Sequence, residues 1–200
     1  MKVFALSILA AAAGLSAAPA VAQSFNGPSV GIQGGWQQEK VRNPHTNIGI
    51  AQIDSSRDAA VGGVFAGYDR QVGSQMVLGV EAGFSIASSD RIRGGAGATA
   101  VQIDPKYSFD LSARAGYLVT PETLVYVRGG YADERVRTTL ASASGTASAA
   151  ENRDGWLVGG GVERLIAQNV SARVEYRYTD FASHGRDDRH QVLAGIAYRF

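Results

Sequence analysis

Three histidines, His45, His184 and His190, are the residues of this 200-residue chain best suited to proton transfer or metal ligation. If loops brought His45 and His184 together, the pair could ligate a metal ion or a haem iron. Ser183 and His190 suggest a different chemistry, a hydroxyl activated by an imidazole for acyl transfer to or from a lipid. Neither set is ordered by a recognisable constellation, and histidines in polar loops are usually solvated. The stretch Gly94-Gly95-Ala96-Gly97 lacks the following helix that a phosphate-cradling loop needs. There is no cysteine, hence no thiol chemistry and no disulfide. The expectation is therefore no catalytic residue, no metal, no cofactor and no enzyme.

The residues that do follow a rule are charged. Glu81, Asp110, Arg114, Arg128, Glu163, Arg173, Glu175 and Arg177 comprise four arginines and four carboxylates. Each falls on the same parity as its charged neighbours within its segment, so a strand would turn them all to one face. Their chemistry is mutual neutralisation. Buried together they can pair, whereas any unpaired member would be costly.

The elements that must present them are strands. Period-two alternation marks eight: Ser29 to Gln38, Ala59 to Arg70, Met76 to Ile86, Lys106 to Val119, Thr123 to Ala132, Arg153 to Arg164, Val170 to Thr179 and His190 to Phe200. Lys106 to Val119 alternates most cleanly, with Tyr107, Phe109, Leu111, Ala113, Ala115, Tyr117 and Val119 against Ser108, Asp110, Ser112, Arg114 and Gly116. Phe65 weakens the pattern in the second strand, because it shares a face with Gly63, Gly67 and Asp69. The connections alternate long and short. The long ones are Glu39 to Arg57, Ala87 to Pro105, Asp133 to Asn152 (an Ala/Ser/Thr tract) and Asp180 to Arg189. Antiparallel strands crossing a bilayer place every long loop on one side and every tight turn on the other. A soluble sandwich would leave this sorting unexplained. The expected fold is an all-β, eight-stranded antiparallel up-and-down transmembrane β-barrel, closed because an open edge in lipid leaves backbone groups unsatisfied.

The first segment agrees with export. Lys2, an apolar run from Val3 to Leu15 and the Ala20-Val21-Ala22 site predict a signal peptide over residues 1–22, leaving a barrel domain over 23–200. The whole chain carries 19 basic and 18 acidic residues, and loss of Lys2 balances them, so no basic surface points to nucleic acid. Tyr68, Tyr107, Tyr117, Tyr131, Trp156, Tyr176, Tyr178, Tyr198 and Phe200 cluster near strand ends on the apolar face, where aromatic rings sit between headgroups and hydrocarbon.

The final strand places Val192, Ala194, Ile196, Tyr198 and Phe200 on one face. Its ending Tyr-x-Phe resembles the C-terminal signature of outer-membrane barrels. With Gly-Val-Glu-Ala-Gly-Phe-Ser (79–85), Gly-Gly-Gly-Val-Glu (159–163) and Val-Glu-Tyr-Arg-Tyr-Thr-Asp-Phe (174–181), the chain resembles the small outer-membrane β-barrel family of alphaproteobacterial Omp25- and Omp31-like proteins and opacity-type surface antigens, often labelled porin family proteins. That resemblance implies an integral protein of the Gram-negative cell outer membrane, in contact with lipid and lipopolysaccharide. It implies an envelope-integrity and surface-interaction (adhesion-like) role, with possible host or surface ligands met by the loops. It also implies that Tyr198 and Phe200 are the assembly signal read by the barrel assembly machinery, and that no periplasmic peptidoglycan-binding domain is appended. The alternatives are a small diffusion porin or a haem- or ligand-binding outer-membrane protein. Eight strands enclose room for side chains only, which argues against the porin.

Overall fold

The computed structural model describes residues 25–42, 45–46, 49–50, 54–88, 92–94, 100–142, 145–181 and 186–200. The proposed signal peptide, Ser183, His184 and Gly95 to Gly97 lie outside them, as does the side chain of His45. Eight long strands form the wall: β1 (Gly27–Arg42), β2 (Asp54–Val72), β3 (Met76–Ala87), β4 (Ala100–Thr120), β5 (Thr123–Ser142), β6 (Gly145–Ala167), β7 (Val170–Phe181) and β8 (Arg186–Arg199). Each pairs antiparallel with its chain neighbour, and β1 pairs antiparallel with β8, so the sheet closes. This is the eight-stranded up-and-down barrel.

The register fixes its girth. From Gly31 the ladder passes through Phe65, Gly83, Asp110, Ala132, Gly155, Phe181 and Asp187, and returns to β1 at Val41, ten residues further along. With ~3.3 Å per residue and ~4.8 Å between strands, that offset tilts the strands by about 40° and sets a backbone radius of about 8 Å. Side chains fill such a cylinder.

Tight turns gather at one end. Gly73, at a φ of 71°, turns β2 into β3, and the Gln71 amide braces this turn by donating to the Ser74 carbonyl at 3.0 Å. Pro121 and Glu122 join β4 to β5, and Gln168 and Asn169 join β6 to β7. The Asn169 side chain donates to the Arg199 carbonyl at 2.7 Å, tying this turn to the end of β8.

At the other end the strands outrun the sequence-based boundaries. The tract from Asp133 to Asn152, expected as a long connection, is mostly strand: β5 continues to Ser142 and β6 starts at Gly145, with Ser142 opposite Gly145. Likewise β1 reaches Arg42, β4 starts at Ala100 beside the short strand Ile92–Gly94, and His45–Thr46 pairs with Gly49–Ile50. The physical reason is that a backbone ladder needs no alternation once it leaves lipid. Outside the hydrocarbon neither face has to be apolar, so the period-two signal stops while the hydrogen bonds continue.

The wall has two unlike faces. Outward stand Ile32, Val64, Val80, Leu111, Val127, Val162, Val174 and Ile196, each roughly half exposed or more. A soluble protein does not expose an apolar belt around its whole circumference; in a bilayer this belt is solvated by acyl chains. The aromatic residues Tyr68, Tyr117, Tyr131, Trp156, Tyr176, Tyr198 and Phe200 edge it.

Candidate functional site: a charged lumen and an aromatic rim

All eight charged residues singled out above point into the barrel and are buried. Alternation alone turns them inward; what brings them together is the small radius, which puts opposite walls within a side chain's reach. Arg173 on β7 crosses to Glu81 on β3 at 2.6 Å and to Gln33 on β1 at 2.8 Å. Arg128 on β5 reaches Glu81 at 2.7 Å, Asp110 at 2.5 Å and Glu175 at 3.3 Å. Arg177 bonds Glu175 at 2.7 Å and Asp110 at 3.3 Å.

Two further charges complete the cluster, and the sequence reading did not include them. Asp69 on β2 binds Arg114, whose Nε lies 2.7 Å from Oδ1, and Arg199 on β8 at 3.0 Å. Arg199 also bonds Glu163 at 2.8 Å, and Arg114 bonds Glu163 at 2.9 Å. Both residues had the right parity: Asp69 shares a face with Gly67, and Arg199 with Gln191. Their closeness to strand ends hid them. The cluster is therefore five arginines and five carboxylates, and each carboxylate touches at least two arginines, Glu81 three. Neutral groups take up further valences. The Tyr126 hydroxyl donates to Glu175 at 2.7 Å and the Ser171 hydroxyl to Glu163 at 2.6 Å.

Aromatic faces cover the guanidinium planes. Phe65, the residue that disturbed the alternation of β2, points inward, and the Arg173 guanidinium carbon sits 3.5 Å from its ring centre. Arg114 lies over Tyr126 at 5.2 Å, and Arg199 over Phe25 at 4.5 Å. These cation–π contacts are strongest where water is excluded. Inward glycines make the space. A Cβ on Gly161 would clash with the Val174 backbone carbonyl oxygen of the neighbouring strand and would also lie 2.9 Å from the Tyr126 hydroxyl.

The network is bounded at both ends. Toward the tight turns, Phe25, Val77, Leu118, Leu124, Tyr126 and Leu165 form an apolar cluster. Phe25, from the segment before β1, is fully buried there. Toward the long strands, Ala132, Leu157 and Phe181 form a second apolar layer. Above it Arg189 binds Glu134, and the Gln191 amide donates to Gln37 at 3.1 Å. The cavity among Gln37, Ser85, Ser108 and Glu134 offers 10 Å³, room for a single water.

The histidine readings fare differently. His190 is on the outward face, where its Nδ1 lies 2.7 Å from the Tyr176 hydroxyl and its Nε2 lies 3.1 Å from Asp188. Ser183, the hydroxyl weighed as its partner, is outside the described residues. Among the described residues no group of three or more His, Asp and Glu side chains is arranged to hold a metal ion. Tyr198 and Phe200 stand on the outward face of β8, edge to face with ring centres 5.0 Å apart.

Comparison with known proteins agrees with this geometry. The family model described as an outer membrane protein beta-barrel domain matches residues 7–200. The 31 kDa outer-membrane immunogenic protein of Brucella melitensis is 31% identical over 211 residues, covering 92% of this chain and 88% of its own. The 22 kDa outer membrane protein of Rhizobium leguminosarum is 31% identical over 166 residues, covering 77% and 72%. Among solved structures, Neisserial surface protein A superposes with a TM-score of 0.58 at 16% identity, covering 88% of this chain and 98% of that one. The attachment invasion locus protein of Yersinia pestis superposes with a TM-score of 0.53 at 13% identity, covering 88% and 99%. These two likenesses are of fold.

Proposed function

The chain belongs to the family of outer-membrane β-barrel proteins and resides in the cell outer membrane, and from that premise we propose that it serves as a structural envelope protein and a platform for surface interaction rather than as a pore or an enzyme. The observation that supports this reading most is the filled lumen. Five arginines and five carboxylates neutralise one another within a cylinder of about 8 Å backbone radius, with apolar layers at both ends. A diffusion channel needs a continuous wet path, which water-filled porins achieve with roughly 16–18 strands. The platform consists of the strands that run past the apolar belt, β5 and β6 furthest of all. These lift the outer loops away from the membrane, where they can meet adhesion-type ligands.

Tyr198 and Phe200 fit the same role at the stage of assembly. Both rings lie on the lipid face of the strand that closes the barrel against β1, where the assembly machinery can bind them before closure.

Planar-bilayer recording on the refolded protein tests the pore question directly: the expectation is no stable unitary step, and large stable steps would overturn the reading. A deletion strain tests the envelope role, with raised sensitivity to detergent and bile salts expected. Unchanged sensitivity together with unchanged binding to host surfaces would remove the proposal. Mass spectrometry of lipid A from the same strain tests the non-enzymatic reading, since a changed acylation pattern would point to catalysis.

A further inference from the structure

The apolar floor at the tight-turn end of the lumen is built unevenly. The wall itself supplies Val77 of β3, Leu118 of β4, Leu124 and Tyr126 of β5 and Leu165 of β6. On the remaining strands, β7, β8, β1 and β2, the inward residues at this end are Ser171, Arg199, Ser29 and Asp69, all polar and buried. That polar half is covered by Phe25, which precedes β1 and belongs to no strand. Its ring is fully buried and joins the apolar cluster of the other half, with the Arg199 guanidinium carbon 4.5 Å from its centre.

Phe25 reaches this place through one special backbone position. Gly27, at a φ of 112°, turns the chain out of the ladder, and a Cβ there would lie 2.9 Å from the Phe200 carbonyl oxygen. The two ends of the chain therefore cross at the seam between β1 and β8, where the Phe200 N–H donates to the Pro28 carbonyl at 3.0 Å. Ladder pairing begins only at Gly27, opposite Asp69. Upstream of it, the Asn26 side chain accepts from the Gln71 N–H at 3.4 Å, a long and exposed contact. Phe25 can thus enter or leave without breaking a rung of the sheet. Its seat, by contrast, exists only in the closed barrel. Arg199 is held by Glu163 on β6 at 2.8 Å and, across the seam, by Asp69 on β2 at 3.0 Å.

We propose that Phe25 is a bolt on the β1–β8 seam: it docks after the barrel has closed and then holds the seam shut. The proposal rests on removal of the leader after Ala22, which makes Phe25 the third residue of the mature chain and its segment a short free end. A free end of this length docks without threading a loop. A seam that opens must draw the ring away from Leu165 and Arg199 on the far side, so ring burial and the cation–π contact both resist opening. Because the contact forms last, it is absent from the transition state for folding. Its loss then speeds unfolding and leaves the folding rate unchanged.

The test uses the chain beginning at Gln23, refolded into lipid vesicles, with Phe25→Ala beside it. Heat-dependent gel mobility gives the rate of barrel formation and, after a jump into urea, the rate of barrel loss. Phe25→Ala should unfold about tenfold to a hundredfold faster, with a folding rate within about twofold of the wild type. A second pair of chains carries Ile32→Cys and Ile196→Cys, which stand opposite each other across the seam on the outward face. Directly opposite strand positions fall within disulfide range, and the protein has no other cysteine, so oxidation staples that seam alone. With the staple oxidised, Phe25→Ala should unfold within about twofold of its parent, and reduction should restore the gap. An unchanged unfolding rate in Phe25→Ala, folding slowed as much as unfolding is quickened, or a gap that survives the staple would each overturn the bolt. The intact mass of the protein taken from outer membranes is a separate readout. Retention of residues 1–22 would count against leader removal and not against the bolt, which the rates decide.

Discussion

Arg128→Met distinguishes a dry, paired lumen from a wet one. Arg128 bonds Glu81, Asp110 and Glu175, and its side chain is 1% exposed. Methionine keeps much of the volume and removes the charge. Each of the three carboxylates retains an arginine: Glu81 keeps Arg173 and, at 3.8 Å, Arg114, while Asp110 and Glu175 keep Arg177. The cluster as a whole then holds four positive against five negative charges. Breaking a buried pair by removing one partner costs about 3–5 kcal/mol; the remaining partners put the expected loss toward the lower end. The comparison is Arg164→Met, which loses only a 3.8 Å contact to Glu122 with both side chains mostly exposed, an interaction worth at most about 1 kcal/mol. Urea unfolding in lipid vesicles, followed by the emission of Trp36 and Trp156 on the lipid face, gives the two midpoints. At a slope of about 1–3 kcal/mol per M, Arg128→Met should move the midpoint by about 1 M or more and Arg164→Met by far less. Adding Asp110→Asn to Arg128→Met restores equal charge, and the pair should be less destabilised than the two single changes added together. Equal midpoints for Arg128→Met and Arg164→Met, or strict additivity in the double variant, would refute the dry network.

Other perturbations probe the wall and its ends. Val127→Arg sets a charge on the lipid face at mid-belt, at about 2–4 kcal/mol; it should block insertion, and normal insertion would mean the register is off by one. Gly161→Ala should destabilise by about 1–3 kcal/mol through overpacking, chiefly against the Val174 backbone carbonyl of the neighbouring strand, so adding Tyr126→Phe should leave most of the loss in place; an unchanged urea midpoint would show a looser interior. Deleting Phe200 should lower the yield of inserted protein in cells much more than the refolding yield into detergent, since one ring's burial is worth only about 1.5–3 kcal/mol. Normal cellular yield would remove its proposed part in assembly. Phe25→Ser should admit water to the Arg199–Asp69 end of the lumen, read as faster exchange of the Arg199 guanidinium protons, and unchanged exchange would show that the ring is not a seal.

Parity explains most of what the sequence made readable. On β4, apolar residues alternate with polar residues or glycine without a break from Tyr107 to Tyr117, so inward Asp110 and Arg114 could be assigned without coordinates. Partner choice could not. Arg173 meets Glu81 rather than a nearer carboxylate in the chain because of the ten-residue offset of the closed ladder, and no single strand encodes that offset. Phe65 illustrates a second limit. An aromatic on the polar face read as a flaw in the pattern, yet its ring supports Arg173, a contact that exists only when β2 and β7 share one lumen. Leu118, Leu124 and Leu165 sit next to turns on the face that otherwise carries polar residues. Although Val77 shares its face with Glu81, nothing in one strand says that these side chains meet, so the apolar layer was invisible. The outer halves of β5 and β6 were missed for the opposite reason: a ladder in water leaves no hydrophobic period to read.

The separation of the charged partners along the chain constrains how the barrel can come into being. Asp69 and Arg199 stand 130 residues apart, and Glu81 and Arg173 stand 92 apart. An open sheet that entered lipid before β8 met β1 would carry these groups with their countercharges still out of reach. Such a half-built wall is far less stable in hydrocarbon than either the unfolded chain in water or the finished cylinder. Insertion and closure must therefore proceed as one cooperative event, or the inner face must stay hydrated within a catalyst until the last strand docks. Neutralisation would then act as a checkpoint, because only a chain that has found its complete register can leave water behind.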